Sequence, residues 1–150
     1  MIKSNNEIEI IFNKVKSGYK RFSKAKVKAV IGILLKKERI KKSVTVVFTD
    51  DETIKKLNRF YRYRNEITDV LSFEYGKSSE IMGEIVISLQ TAKKQSLKYG
   101  NSYLKEALIL LIHGFYHISG YRHYKRSDYK EMKEKEESAI KLLIKKRMLF

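Results

Sequence analysis

Leu111-Ile112-His113-Gly114-Phe115-Tyr116-His117-Ile118-Ser119-Gly120-Tyr121-Arg122-His123 is the stretch from which the rest of the chain can be read. It holds all 3 histidines of the 150 residues. His113 and His117 are four apart, so on an α-helix their side chains stand one turn above each other and can grip one ion. The preceding residues predict that helix from Leu104 to Ile118. Ala107, Leu108, Leu110, Leu111, Phe115 and Ile118 recur at helical spacing, Ser102 can cap the start, and no proline interrupts the run. Gly120 is the residue type that readily takes the left-handed conformation closing a helix. The chain would then turn back and bring His123 toward the pair from outside the helix.

Three neutral imidazoles suit zinc, and three protein ligands leave a fourth position for water, which is the arrangement of catalytic sites. Water bound there becomes acidic near neutral pH, with a pKa of about 7. A structural zinc would ordinarily want a further cysteine or histidine, and the chain has no cysteine. One zinc per chain is therefore the expectation, with nickel or another divalent metal compatible with the same imidazoles. The spacing His-x3-His-x2-Gly-x2-His also resembles that of the metzincin proteases. Gly114 stands where those enzymes have a glutamate, so no general-base carboxylate can act from that position.

Outward from the histidines, strands are predicted at Ile8 to Phe12, Val44 to Phe48, Val70 to Tyr75 and Glu84 to Ser88, all rich in β-branched or aromatic residues. Helices are predicted on Val27 to Leu35, from an Asp50 or Asp51 cap to about Tyr61, near Leu89 to Tyr99, and from Ser127 to about Lys146. Two strands each preceding a helix, then a strand pair, then helices, imply an α+β domain. With 43% hydrophobic residues and nothing resembling a linker or repeat, residues 1–150 read as a single domain. There is no signal-like start and no apolar run near the roughly 18 residues a membrane span needs. A soluble, cytoplasmic protein with no membrane role is expected.

The formal net charge is +16. Residues 1–42 carry 13 basic and 3 acidic side chains, so most of the excess is N-terminal. The cations surround the apolar face made by Val27, Val30, Ile31, Leu34 and Leu35, a face that packing on a sheet explains better than a membrane surface. Such charge attracts polyanions and speeds their encounter.

His113-Gly114-x-x-His117-x-x-Gly120-Tyr121-x-His123 resembles the signature of the YbeY family, bacterial metal-dependent endoribonucleases and rRNA maturation factors. Leu57-Asn58-x-x-Tyr61-Arg62, followed by Thr68-Asp69-Val70-Leu71-Ser72-Phe73, is similar to a second block of that family, and Gly83-Glu84-Ile85-Val86-Ile87-Ser88 to a third. The likeness runs from about residue 45 to 137. It implies a zincin-like mixed four-stranded sheet flanked by helices, with a metal-binding helix. It also implies cleavage of single-stranded RNA in rRNA maturation and ribosome quality control, with rRNA and ribosomal subunits as partners. His113, His117 and His123 would be the metal ligands.

Arg62 by itself is an arginine near a helix end, an ordinary place for a solvated or salt-bridged side chain. The resemblance makes it the cation that offsets charge developing on phosphorus, with Arg59 and Arg64 close enough in sequence to substitute. Two positions depart from the family pattern. Arg122 stands where aspartate is usual, and Ile67 where proline is usual. Ser72 can reach substrate from a strand end or simply alternate with Leu71 and Phe73, and Asp69 can brace the turn. Two other functions fit parts of the pattern, a metallopeptidase or amidohydrolase and a non-catalytic ribosome assembly factor. Oligomeric state has no signal in the sequence.

Overall fold

The computed structural model describes residues 7–121 and 125–149. Four strands, β1 (Ile8–Phe12), β2 (Ser43–Thr49), β3 (Val70–Glu74) and β4 (Ile81–Ser88), alternate at first with helices α1 (Lys24–Lys37) and α2 (Asp51–Arg62). Helices α3 (Leu89–Tyr99), α4 (Tyr103–Ile118) and α5 (Arg126–Lys145) follow the last strand. The sheet order is β1-β2-β4-β3. Strands β1, β2 and β4 run parallel and β3 runs antiparallel to β4, so the sheet is mixed and β3 is an edge. The α+β expectation holds, and every expected strand and helix is present, with some bounds shifted, as at the start of β4 at Ile81.

Side-chain alternation decides what each face of the sheet meets. Val44, Val46 and Phe48 of β2 and Ile85 and Ile87 of β4 enter the large core with Val30 and Leu34 of α1 and Leu111 and Phe115 of α4. The residues between them, Val47 and Val86, form a smaller cluster with Leu71 and Phe73 of β3 and with Ile54 and Leu57 of α2. Helices α4 and α2 therefore lie on opposite faces of the sheet, and both reach the edge at β3.

Local chemistry sets the helix ends. The Asp50 carboxylate accepts from Thr53 N at 2.8 Å to start α2, and Ser102 Oγ accepts from Lys105 N at 3.1 Å to start α4. At the other end of α4, Gly120 is left-handed with φ 100°. Its N–H donates to His117 O at 3.1 Å and Tyr121 N–H donates to Tyr116 O at 3.0 Å, the paired bonds of a Schellman turn. Gly120 thus closes the helix as expected, just before residues 122–124.

Two glycines let α4 seat on the sheet. A Cβ on Gly114 would come within 2.5 Å of Ile85 Cγ2, a fully buried branched side chain. A Cβ on Gly83 would collide with Phe73 O and crowd Ile118. Gly83 also interrupts the apolar run, which is why the residue pattern starts this strand at Glu84, whereas β4 begins at Ile81. Among the described residues, no helix is long and apolar enough to cross a membrane.

Candidate functional site

His113 and His117 share one face of α4 near its C-terminus, as their spacing requires. Their Nε2 atoms are 3.1 Å apart, and the rings meet edge to face with centroids 4.6 Å apart. Two nitrogens on a tetrahedral zinc, at the usual bond length, are separated by about 3.3 Å. The pair is spaced for one ion.

The opposite nitrogen of His113 is engaged from α5, where Glu136 Oε1 lies 2.6 Å from His113 Nδ1. An ionised carboxylate only accepts, so His113 donates from Nδ1 and presents Nε2 as the basic nitrogen on the side of His117. A carboxylate behind an imidazole is the arrangement that fixes ring orientation and tautomer in metal-binding histidines. Glu136 escaped the sequence reading because it lies 23 residues beyond His113 in a run of other glutamates. Its signal was position: Met132, Ala139 and Leu143 of α5 are buried, and Glu136 falls on that same stripe. His123 lies outside the described residues. Among those described, no group of three His, Cys, Asp or Glu side chains is placed to hold an ion.

Arg62, the last residue of α2, comes from the other side of the sheet. Its Nη2 donates to Ser72 O on the edge strand at 3.1 Å, and Ser72 Oγ donates to Gly114 O of α4 at 3.4 Å. These two bonds tie the arginine to the histidine helix across β3. Arg62, Arg64, Asp69, Ser72, His113 and His117 all line one cleft of about 720 Å³. Arg64 also faces Glu66 at 3.8 Å, whereas Arg59 lines a separate groove.

The remaining residues of the Arg62 block have structural work. Asn58 is buried, donates from Nδ2 to Glu66 O at 3.0 Å, and accepts Arg64 N–H at its carbonyl at 3.3 Å. It pins the loop that follows Arg62. Asp69 accepts Val70 N–H at 2.8 Å and Gln95 Nε2 at 3.0 Å, bracing the start of β3 against α3. Ser72 points toward α4 between Leu71 and Phe73, which join the opposite cluster. Gly114 faces the sheet, so a glutamate there would have no room, let alone reach the histidines.

A family model described as Endoribonuclease YbeY matches residues 8–143. The chain belongs to the YbeY family. Its relatives there include an Endoribonuclease YbeY of Carboxydothermus hydrogenoformans, 39% identical over 102 residues that cover 67% of this chain and 71% of the relative. One from Clostridium acetobutylicum is 35% identical over 139 residues, covering 76% and 84%. A solution structure from Thermotoga maritima superposes with a TM-score of 0.61 at 26% identity, covering 88% of this chain and 85% of that one. The span matched by the YbeY model takes in all four strands and the positions of Arg62, His113, His117 and Glu136.

Proposed function

We propose that this chain is a metal-dependent endoribonuclease that cuts single-stranded RNA in rRNA maturation and ribosome quality control, working in the cytoplasm on rRNA and ribosomal subunits. Its fold is read as zincin-like, with α4 as the metal-binding helix and His113, His117 and His123 holding one zinc or another divalent metal. The observation that carries this is the meeting of His113 and His117, with Nε2 atoms 3.1 Å apart, and Arg62 in one cleft. A bound zinc would supply positive charge to polarise a phosphoryl oxygen and acidify a water nucleophile.

This chain's own residues do the rest. Glu136 keeps the His113 proton on Nδ1, so that Nε2 is the nitrogen offered to the ion. Arg62 uses one N–H on Ser72 O, which aims the guanidinium along the cleft and leaves further donors of its planar fork for phosphate oxygens. Those donors match the charge that grows on phosphorus as the nucleophile attacks. The net charge of +16 steers a polyanion toward the chain. A peptidase would instead need a carboxylate base beside the histidines. Gly114 has no room for one, and Glu136 is committed to the back of His113.

The test is incubation of purified protein with end-labelled single-stranded RNA, with and without chelator, beside a His117→Ala variant, together with metal analysis of both proteins. One divalent metal per chain and chelator-sensitive cutting, both lost in the variant, are expected. RNA binding with no chelator-sensitive cutting would overturn the reading and favour a non-catalytic assembly factor.

A further inference from the structure

The end of α2 also presents a surface on its outer side. Phe60, Tyr61 and Tyr63 are 73%, 58% and 92% exposed. With Lys56 and Arg59 they line a shallow groove of about 850 Å³. The rings form a series: Phe60 and Tyr61 meet edge to face with centroids 4.9 Å apart, and Tyr61 meets Phe73 of the edge strand at 5.3 Å.

Tyr63 adds an independent observation. It closes α2 in the left-handed conformation, with φ 59°. Glycine or asparagine is at ease there and a bulky side chain is strained. The ring recovers nothing by packing, because it is almost wholly in solvent. Lys14, Arg39 and Arg147 adopt the same conformation elsewhere in the chain, so what sets Tyr63 apart is a ring left 92% in solvent beside Phe60 and Tyr61, which no core contact explains.

The cations identify the occupant. Lys56 meets Glu52 at 3.5 Å only at an exposed rim, and Arg59 lines the groove beside it. Arg62, beside Tyr61 in the chain, lines the cleft with His113. Aromatic faces interleaved with basic side chains match unpaired bases and their phosphates. In a duplex the base faces are already stacked and cannot be reached. We propose that Phe60, Tyr61 and Tyr63, flanked by Lys56 and Arg59, form a stacking platform for single-stranded RNA next to the scissile phosphate. The proposal rests on the reading of the cleft as RNA-cutting and deepens it, giving a physical basis for a single-strand preference.

The chain has no tryptophan, so Phe60→Trp introduces one emitter that still stacks. In the presence of chelator, a single-stranded oligonucleotide should quench its emission, whereas heparin, a polyanion without bases, and an RNA duplex should not. The double variant Phe60→Ala with Tyr63→Ala should bind the single strand roughly 5- to 100-fold more weakly, the loss expected of one base–aromatic stack or more. Absence of quenching with unchanged affinity in the double variant would overturn the platform and leave this face to a protein partner. Because binding is read with metal removed, platform binding without cleavage by the unmodified chain would sink the nuclease reading alone. Full-rate, full-affinity cleavage by the double variant would sink the platform alone.

Discussion

Two polar clusters hang on α4, and adjacent residues of α5 complete them, yet they are built in opposite ways. In one, fully buried Tyr116 donates to Glu38 Oε2 at 2.9 Å, while Lys135 reaches Glu38 Oε1 at 3.0 Å and Lys37 reaches Oε2 at 2.9 Å. Burial alone would raise the Glu38 carboxyl, but hydrogen bonds from Lys37, Lys135 and Tyr116 outweigh it and hold the group below its ordinary value. Burial, reinforced by that carboxylate, pushes the Tyr116 phenol up. In the other cluster, Glu136 holds His113 from behind, the Nε2 atoms of His113 and His117 lie 3.1 Å apart, and both rings line the cleft. The Glu38 side chain is 10% exposed and that of His113 is 35%. A closed network with matched donors and acceptors stabilises the fold, whereas an open one held rigid from behind is arranged for something outside the chain.

That contrast can be broken from either side. The largest effect should come from Arg62→Ala, which removes the cation of the open cluster. RNA cleavage should fall by about 10²- to 10³-fold, with metal content and melting temperature unchanged. A variant that cuts at the normal rate would remove Arg62 from the chemistry. Next in size is Glu136→Ala, which frees the His113 ring. Metal affinity, followed by competition with a chromophoric chelator, should weaken about 10- to 100-fold, and the His113 tautomer seen by nitrogen NMR in the apo chain should become mixed. An unchanged tautomer would show that Glu136 does not set it.

Changes in the closed cluster should do the reverse. Tyr116→Phe removes one donor from Glu38 and should lower stability in urea by about 1 kcal/mol, leaving cleavage and metal content intact. If cleavage fell with stability, the two clusters would not be separate in function. The smallest effect is one of pH. The Glu38 carboxyl is held below its ordinary value of 4.5, so its contribution is present above that pH and lost as pH falls through the lower folded value. The stability gap between the native chain and Glu38→Gln should therefore be widest near neutrality and narrow in acid below about pH 4.5. A gap independent of pH would mean that the carboxylate charge is not what the cluster uses.

What was legible in the sequence follows from distance along the chain. Asp50, Ser102 and Gly120 do their work within a few residues, through bonds to Thr53, Lys105 and His117, and each is where the pattern puts it. The histidine pair is equally local, since four residues are one helical turn. Arg62 stood out only through a resemblance, because its own surroundings are those of any arginine at a helix end. Arg59 and Arg64, offered as substitutes, part company in space. Arg64 joins the cleft and Arg59 lines the outer groove, because Tyr63 reverses the chain between them. Glu136 resembled its neighbouring glutamates until α5 packed on α4.

The sequence by itself determined the strands, the helices, the α+β order and the placing of His113 and His117 on one helix face, since periodicity and capping act through neighbours. Only the tertiary structure decided that α2 and α4 cover opposite faces and meet past the edge strand, with Arg62 on Ser72 O and Ser72 on Gly114 O. It alone also decided that position 114 must lack a side chain, because Ile85 occupies the space a Cβ would need. These are consequences of which faces pack together, and packing joins residues whose order along the chain carries no trace of the contact.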